Sequence, residues 1–485
     1  MNYNSESKIV ISGLFWKFSE RIAAQFVSFI VSVILARLLI PSEYGVVSLI
    51  LVFITIANVF VTSGLSSALI QKKEASEIDF STIFYCNVGI SFLLYVFLFL
   101  ISPYIAKFYK IPSLTMYIRV FSVKILIASY NSVQHAYVSR HMIFKKFFFS
   151  TIIGTVISGI FGIVLAYRGF GAWALICQYL INSLIDSIVL GFTIPWRPKL
   201  IFSLHSARSL FGFGWKVLAT DLLGTIFDNL RSILIGKYYK SSDLAFYNKG
   251  KQIPSLIGDN IDSSLTSVLF PAMSNVSTDK ERIKEMTRRS MKLSSYLMFP
   301  LMAGLIAISK PLITVLLTEK WIDSVFYLQI HCISQAVSTV SKANLQAIKA
   351  LGRSDITLVM ELIKKPIYLI MLIISMKYNI RVIALSLMIY NLMATLINMH
   401  PNKMLMNYSF KEQLTDLLPQ IGFSFIMWLI IAQFNKLSFP LFIIIIIQLV
   451  CGFFIYIALS YIFKNDSFLY IIRYLKKIYE EKYVK

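Results

Sequence analysis

Residues 13–39 read GLFWKFSERIAAQFVSFIVSVILARLL, a stretch long enough to cross a bilayer as one helix and apolar on all sides but one. Lys17, Arg21, Gln25, Ser28 and Ser32 recur at spacings of four and three, which puts them on a single helical face, while Phe, Val, Ile and Leu occupy the rest. With a membrane edge near Ser12, Arg21 lies roughly 14 Å deep at about 1.5 Å per residue, too far in for easy snorkelling. A cation at that depth needs polar surroundings supplied by other helices.

The remainder of the chain supplies many such helices. Its 485 residues are 57% hydrophobic and only 15% charged, values that exclude a soluble domain and indicate a polytopic membrane protein. The net charge of +23 is spread between apolar segments, so no nucleic-acid partner is expected. Cys86, Cys177, Cys332 and Cys451 each sit inside an apolar segment without paired spacing, which argues against a disulfide framework or a zinc site. No small-residue cleavage site follows a short apolar core near the N-terminus, so residues 12–39 read as a retained first helix.

Spans are expected at 12–39, 44–70, 80–102, 114–138, 147–167 and 172–194, then at 209–236, 244–272, 291–308, 325–348, 356–376, 382–399, 414–434 and 439–463, about fourteen transmembrane helices in an all-α protein. With the N-terminus inside, the inner segments carry more than twice as many Lys and Arg as the outer ones, so both termini are expected in the cytoplasm. On that side, Thr278-Asp-Lys-Glu281 matches a capping box opening a basic helix towards Lys292, and the stretch from Phe468 to Tyr483 mixes apolar residues with Arg473, Lys476 and Lys477. Both suit the anionic inner leaflet.

A shift of 199 residues superposes Trp16-Lys17 on Trp215-Lys216, and Lys216, Thr220, Gly224 and Asp228 form a stripe like that of the first span. The expected domains are a six-helix lobe over 1–200, a second over 201–402, two further helices within 403–463 and a basic amphipathic tail, 464–485. Repeats of this kind place a substrate site between the two halves.

Inside the spans, eleven cations (Lys17, Arg21, Arg119, Lys124, Lys216, Arg231, Lys249, Lys251, Lys342, Lys364 and Lys365) outnumber the seven acids Glu20, Asp186, Asp221, Asp228, Asp259, Asp262 and Glu361. Each charge at the bilayer centre costs about 2.5–3.5 kcal/mol, so the excess implies a water-filled cationic cavity. Arg21, Lys17, Arg119, Lys124, Lys216 and Lys364 are the candidate ligands of a diphosphate, which Arg binds bidentately and Lys as a point charge. For Lys17 and Lys216 the alternative is snorkelling, and for Lys364 it is pairing with Glu361 at i, i+3. Asn58, Thr62, Asn131, Gln134, Gln335 and Gln346 either face sugar hydroxyls or join helices. Asp221, Asp228, Asp259 and Asp262 either bind a coupling Na⁺ or H⁺ or pair structurally. No phosphate-binding loop, metal-binding histidine spacing or large soluble segment is present, so no ATP-driven motor, metal centre or catalytic domain is expected.

Gly13-Leu-Phe-Trp-Lys17, Leu35-Ala-Arg-Leu-Leu-Ile-Pro-Ser-Glu-Tyr-Gly45, Thr62-Ser-Gly-Leu-Ser-Ser-Ala-Leu-Ile70 and Phe246-Tyr-Asn-Lys-Gly-Lys-Gln-Ile-Pro254 resemble the Wzx-type polysaccharide flippases, in the branch of colanic-acid and teichuronic-acid exporters. The resemblance spans nearly the whole chain. It implies the fold of the multidrug/oligosaccharidyl-lipid/polysaccharide superfamily, two six-helix lobes in a V around a central cavity that opens alternately inward and outward. It also implies a non-enzymatic flippase of the bacterial inner membrane, moving an undecaprenyl-diphosphate-linked oligosaccharide to the periplasmic or outer leaflet for glycosyltransferase and polymerase partners. Relatives that flip the peptidoglycan precursor hold its diphosphate with arginines of the first helix, where Lys17 and Arg21 stand here. Two alternatives compete: a multidrug extruder of the same fold, expected to have an acidic cavity, and a membrane glycosyltransferase or polymerase, expected to have large outer loops.

Overall fold

The computed structural model describes residues 3–72 and 74–483, and among them every regular element is helical. The first ten helices are α1 (Tyr3–Leu38), α2 (Pro41–Thr62), α3 (Leu65–Gln71), α4 (Glu77–Tyr109), α5 (Leu114–Phe121), α6 (Val123–Arg140), α7 (Lys145–Tyr167), α8 (Ala172–Thr193), α9 (Leu204–Tyr238) and α10 (Ser241–Ser274). There follow α11 (Lys280–Leu317), α12 (Ser324–Ala350), α13 (Ser354–Met376), α14 (Ile380–Met399), α15 (Asn402–Met406), α16 (Phe410–Ala432), α17 (Leu441–Ile462) and α18 (Asp466–Tyr483).

Among the described residues, ten candidate spans are long and apolar enough to cross a membrane. The other expected spans coincide with α5–α6, α10, α12 and α13, and these carry Lys124, Asp262, Lys342 and Lys364, which is why their hydropathy is lower. Two expected spans are broken. Residues 44–70 divide at Ser63-Gly64, where Gly64 takes φ 66°, a left-handed value that side-chain-bearing residues avoid. Residues 114–138 divide at Ser122, whose hydroxyl donates to the Ile118 carbonyl at 2.6 Å.

The chain forms two compact units that divide after Ala245. In the first, Leu65, Leu69, Phe80, Ile83, Val133 and Trp196 share one buried cluster, with Trp196 stacked obliquely against Phe80 at 5.9 Å. Asp79, 2% exposed, caps α4 with Ser76, binds Lys72 at 2.8 Å and accepts from the Ser206 hydroxyl of α9. The segment between α8 and α9 is tied to the same end of α4, since Lys199 N–H donates to Ser81 Oγ and Ser203 N–H to Thr82 Oγ1, both at 3.1 Å. Buried backbone groups that leave a helix must find partners, and these hydroxyls supply them.

In the second unit, α16 and α17 pack on α11 through Tyr296, Ala307, Met427, Ile431 and Tyr456. The capping box expected at Thr278–Glu281 is replaced by a cap one residue later. Asp279 accepts from Arg282 N–H at 3.0 Å, and three residues beyond that cap stands Arg282, not an acid, so no reciprocal bond forms. The basic stretch is therefore the first turns of α11, which continues to Leu317. The expected tail helix is α18, with Arg289 of α11 3.7 Å over the Tyr470 ring and Lys292 3.0 Å from Asp466; the Lys477 side chain lies outside the described residues.

Gly45 meets the backbone of Ser241, with a Cβ there only 1.8 Å from the Ser241 carbonyl oxygen. Gly45→Val should therefore cost more than the about 1–3 kcal/mol of ordinary overpacking, because backbone must move. A thermal midpoint in detergent equal to that of the parent would refute this contact.

Candidate functional site

Within the first unit a polar cavity of about 290 Å³ opens between α2, α3, α6 and α8. One face of α6 lines it from Lys124 through Ala128, Asn131, Ser132, His135 and Ala136 to Ser139, at the three- and four-residue steps of successive helical turns. The interrupted α2–α3 span contributes Asn58 and Thr62 before the break and Ser66 after it. The break itself is wedged against α9, where a Cβ on Gly64 would come 2.8 Å from the Gly214 carbonyl oxygen. Glycine at both positions lets two backbones touch and keeps the serine side of α3 turned to the cavity.

The six candidate cations do not share one environment. Lys124 lines the cavity, with its ammonium 5.2 Å from the Tyr179 ring centre and 5.8 Å from that of Phe121. Among the described residues no carboxylate pairs with it. Arg119, on α5, turns to α4 instead: its guanidinium stacks 4.2 Å from the Phe99 ring, and its Nε donates to Ser102 Oγ at 3.1 Å. Lys17 rests on α7, 5.0 Å from the Phe144 ring, beside Trp16, which packs edge-on to Phe148 at 5.3 Å. Arg21 and Lys216 are exposed on α1 and α9. Lys364 is buried in the second unit, donating to Glu361 at 2.6 Å and to Asn398 at 3.1 Å, the pairing alternative noted from its i, i+3 spacing.

Of the four acids, Asp221, Asp228 and Asp259 are exposed, while Asp262 is buried and paired with Lys342 at 2.6 Å, accepting also from Gln335 at 3.2 Å and Thr339 at 3.1 Å. Among the amides and hydroxyls, Asn58, Thr62 and Asn131 reach the cavity. Gln134 is wholly buried elsewhere, Gln335 serves Asp262, and Gln346 donates to Thr266 at 3.4 Å. His135 was not singled out by sequence reasoning, which examined the histidines only for metal spacing; the signal was its position on the Lys124 face. Among the described residues no cluster of histidine, cysteine and carboxylate suits a metal. An ammonium, hydroxyls and amides around a cavity can hold an anion and the hydroxyls attached to it.

This fold is shared with membrane transporters of known structure. It superposes on a lipid II flippase MurJ in an inward closed conformation with TM-score 0.75, at 17% identity over 94% of this chain and 99% of the other. A multidrug resistance transporter of the MATE family, inward-facing, gives TM-score 0.62 at 15% identity over 79% and 94%. Residues 34–326 match the family described as polysaccharide biosynthesis protein, and the chain belongs to that family. Similar proteins include the teichuronic acid biosynthesis protein TuaB of Bacillus subtilis, 26% identical over 73% of each chain. The succinoglycan biosynthesis transport protein ExoT of Rhizobium meliloti is 24% identical over 72% of this chain and 71% of its own. The lipopolysaccharide biosynthesis protein WzxC of Escherichia coli is 23% identical over the same shares.

Lys364→Met removes two hydrogen bonds of a side chain only 5% exposed. It should lower stability by about 1–3 kcal/mol, measured by thermal unfolding, while head-group binding in vesicles stays within about twofold. A large loss of binding with unchanged stability would reverse this assignment.

Proposed function

We propose that the protein is a flippase that carries an oligosaccharide linked to undecaprenyl diphosphate from the cytoplasmic to the outer leaflet, for synthesis of a surface polysaccharide. The observation that carries this reading is the cavity of the first unit, where among the described residues Lys124 has no carboxylate paired with it and amides and hydroxyls line the walls. A diphosphate supplies the missing counter-charge, and its attached sugars supply partners for Asn58, Thr62 and Ser66. Family membership supports the pathway, and the relatives are named for succinoglycan, teichuronic acid and lipopolysaccharide.

Transport proceeds by opening the cavity first to one side of the membrane and then to the other, with no bond made or broken. Lys124 holds the head group. Arg21 and Lys216, exposed on α1 and α9, draw it in, and Lys17, Arg119 and Lys364 hold helices together through the partners described above. Membrane potential favours the outward passage of a negative head group by about 2.3 kcal/mol per charge per 100 mV. A coupling Na⁺ or H⁺ on the exposed Asp221, Asp228 or Asp259 would add to that drive; Asp262 has Lys342 as its partner instead. The protein lies in the bacterial cytoplasmic membrane with both termini inside, where glycosyltransferases deliver its substrate and a polymerase beyond the membrane consumes it.

In vesicles bearing a lipid-linked oligosaccharide, Lys124→Glu should slow leaflet transfer by about tenfold or more, the value of a hydrogen bond to a charged group. Transfer at the parental rate by Lys124→Glu, at equal protein content, would end this reading, and formation of new glycosidic bonds would favour a polymerase. Arg21→Glu should slow capture with a smaller effect.

A further inference from the structure

One ionisable pair at the cavity has no role in the scheme above. His135 lines the cavity on α6, and its Nε2 lies 3.0 Å from Asp186 Oδ2 on α8. The imidazole is about half exposed, 48%, whereas the carboxylate is 17% exposed, so the histidine meets the cavity and the acid stands behind it. The acid is held in place. Asn131 donates to the same Oδ2 at 3.3 Å and to the Ser183 carbonyl at 3.2 Å, and the Ser187 hydroxyl donates to Asn131 in turn. On its other side the imidazole packs against the Phe147 ring, centres 4.7 Å apart.

The neighbouring charges are engaged elsewhere. Arg140, at the end of α6, donates to the Leu69 carbonyl of α3, Lys146 of α7 donates to the Thr193 carbonyl, and Lys17 of α1 lies 5.8 Å over Phe147. Lys72 and Asp79 pair with each other. From α4, Asn87 reaches Ser132 of the α6 face at 2.9 Å, and α2 and α3 bring only uncharged groups to the cavity. Among the described residues, the ionisable groups that face the cavity are thus Lys124, His135 and, behind it, Asp186.

Imidazole is the side chain whose charge changes near neutral pH. When His135 is protonated, it neutralises Asp186 and the cavity keeps the positive charge of Lys124. When His135 is neutral, Asp186 cancels Lys124 and the cavity has no net charge. We propose that His135 and Asp186 form a proton-binding pair that sets the charge of the cavity, so that an anionic head group and a proton bind together. This rests on the reading of the cavity as a head-group site. Lys124 and His135 are eleven residues apart on helical backbone, roughly 16 Å, so a diphosphate between them lies within about 8–10 Å of either. At that distance and an effective dielectric near 20, one unit of charge changes affinity roughly tenfold. Linkage is reciprocal, so the anion draws in a proton as it binds.

The test is binding of an undecaprenyl diphosphate esterified with one sugar, a diester whose charge is the same at both pH values, to the full-length protein in neutral-lipid vesicles at pH 6 and pH 8. Parental protein should bind about tenfold more tightly at pH 6, with proton uptake visible in a weakly buffered dye assay. His135→Gln should bind weakly at both pH values and His135→Lys tightly at both, so either variant that inserts normally gives an answer. Asp186→Asn should tighten binding at pH 8. An affinity independent of pH in the parent, or the parental pH dependence kept by His135→Gln or His135→Lys, would overturn the proton-binding pair. Failure of this lipid to bind at any pH would instead overturn the head-group reading on which it rests.

Discussion

A charge among apolar helices has no water to solvate it, and the fold depends on how each such charge is answered. In the second unit the answers come from protein. Asp262 meets Lys342, Lys364 meets Glu361 and Asn398, and Asp416 of α16 receives Arg288 at 2.6 and 2.8 Å, Tyr408 at 2.8 Å and Lys292 at 3.2 Å. Each pair joins two helices distant in sequence or locks one turn of a helix. In the first unit Lys124 is answered by two aromatic rings and a cavity. That difference, between buried charges completed by protein and one that opens onto a cavity, is what sets Lys124 apart as a candidate ligand.

The cavity exists because two helices are interrupted beside it. A continuous α2 would present one face of a regular cylinder. The break at Ser63-Gly64 lets α3 restart with its serines inward, and contact with Gly214 of α9 supports the break from behind. Irregular backbone at membrane depth is tolerated where protein buries it or where it lines a cavity, and here both conditions hold. The hydroxyls of Ser81 and Thr82 do the corresponding work at the end of α4, where the segment joining α8 to α9 would otherwise leave N–H groups without acceptors, and Asp79 beside them accepts from the Ser206 hydroxyl of α9.

Some of this site was legible from residue spacing. Lys124, Asn131 and His135 share a face by helical periodicity alone, and Glu361 with Lys364 could be read as a pair at i, i+3. The same argument does not reach from Arg119 to Lys124, because the break at Ser122 puts them on different helices, Arg119 turning to α4 and Lys124 to the cavity. Nothing in the spacing of the apolar residues marks that break.

By itself the sequence determined the class of protein and the positions of its apolar helices, because bilayer thickness sets span length and the helical repeat sets which residues share a face. It also determined that cations exceed acids within the spans. Only the tertiary structure decided which partners those cations meet and that Lys124 opens onto a cavity. The partners that decide it, Asn398 for Lys364, Ser102 for Arg119 and Asp186 for His135, come from other helices, and no spacing along one helix specifies what a neighbouring helix will present.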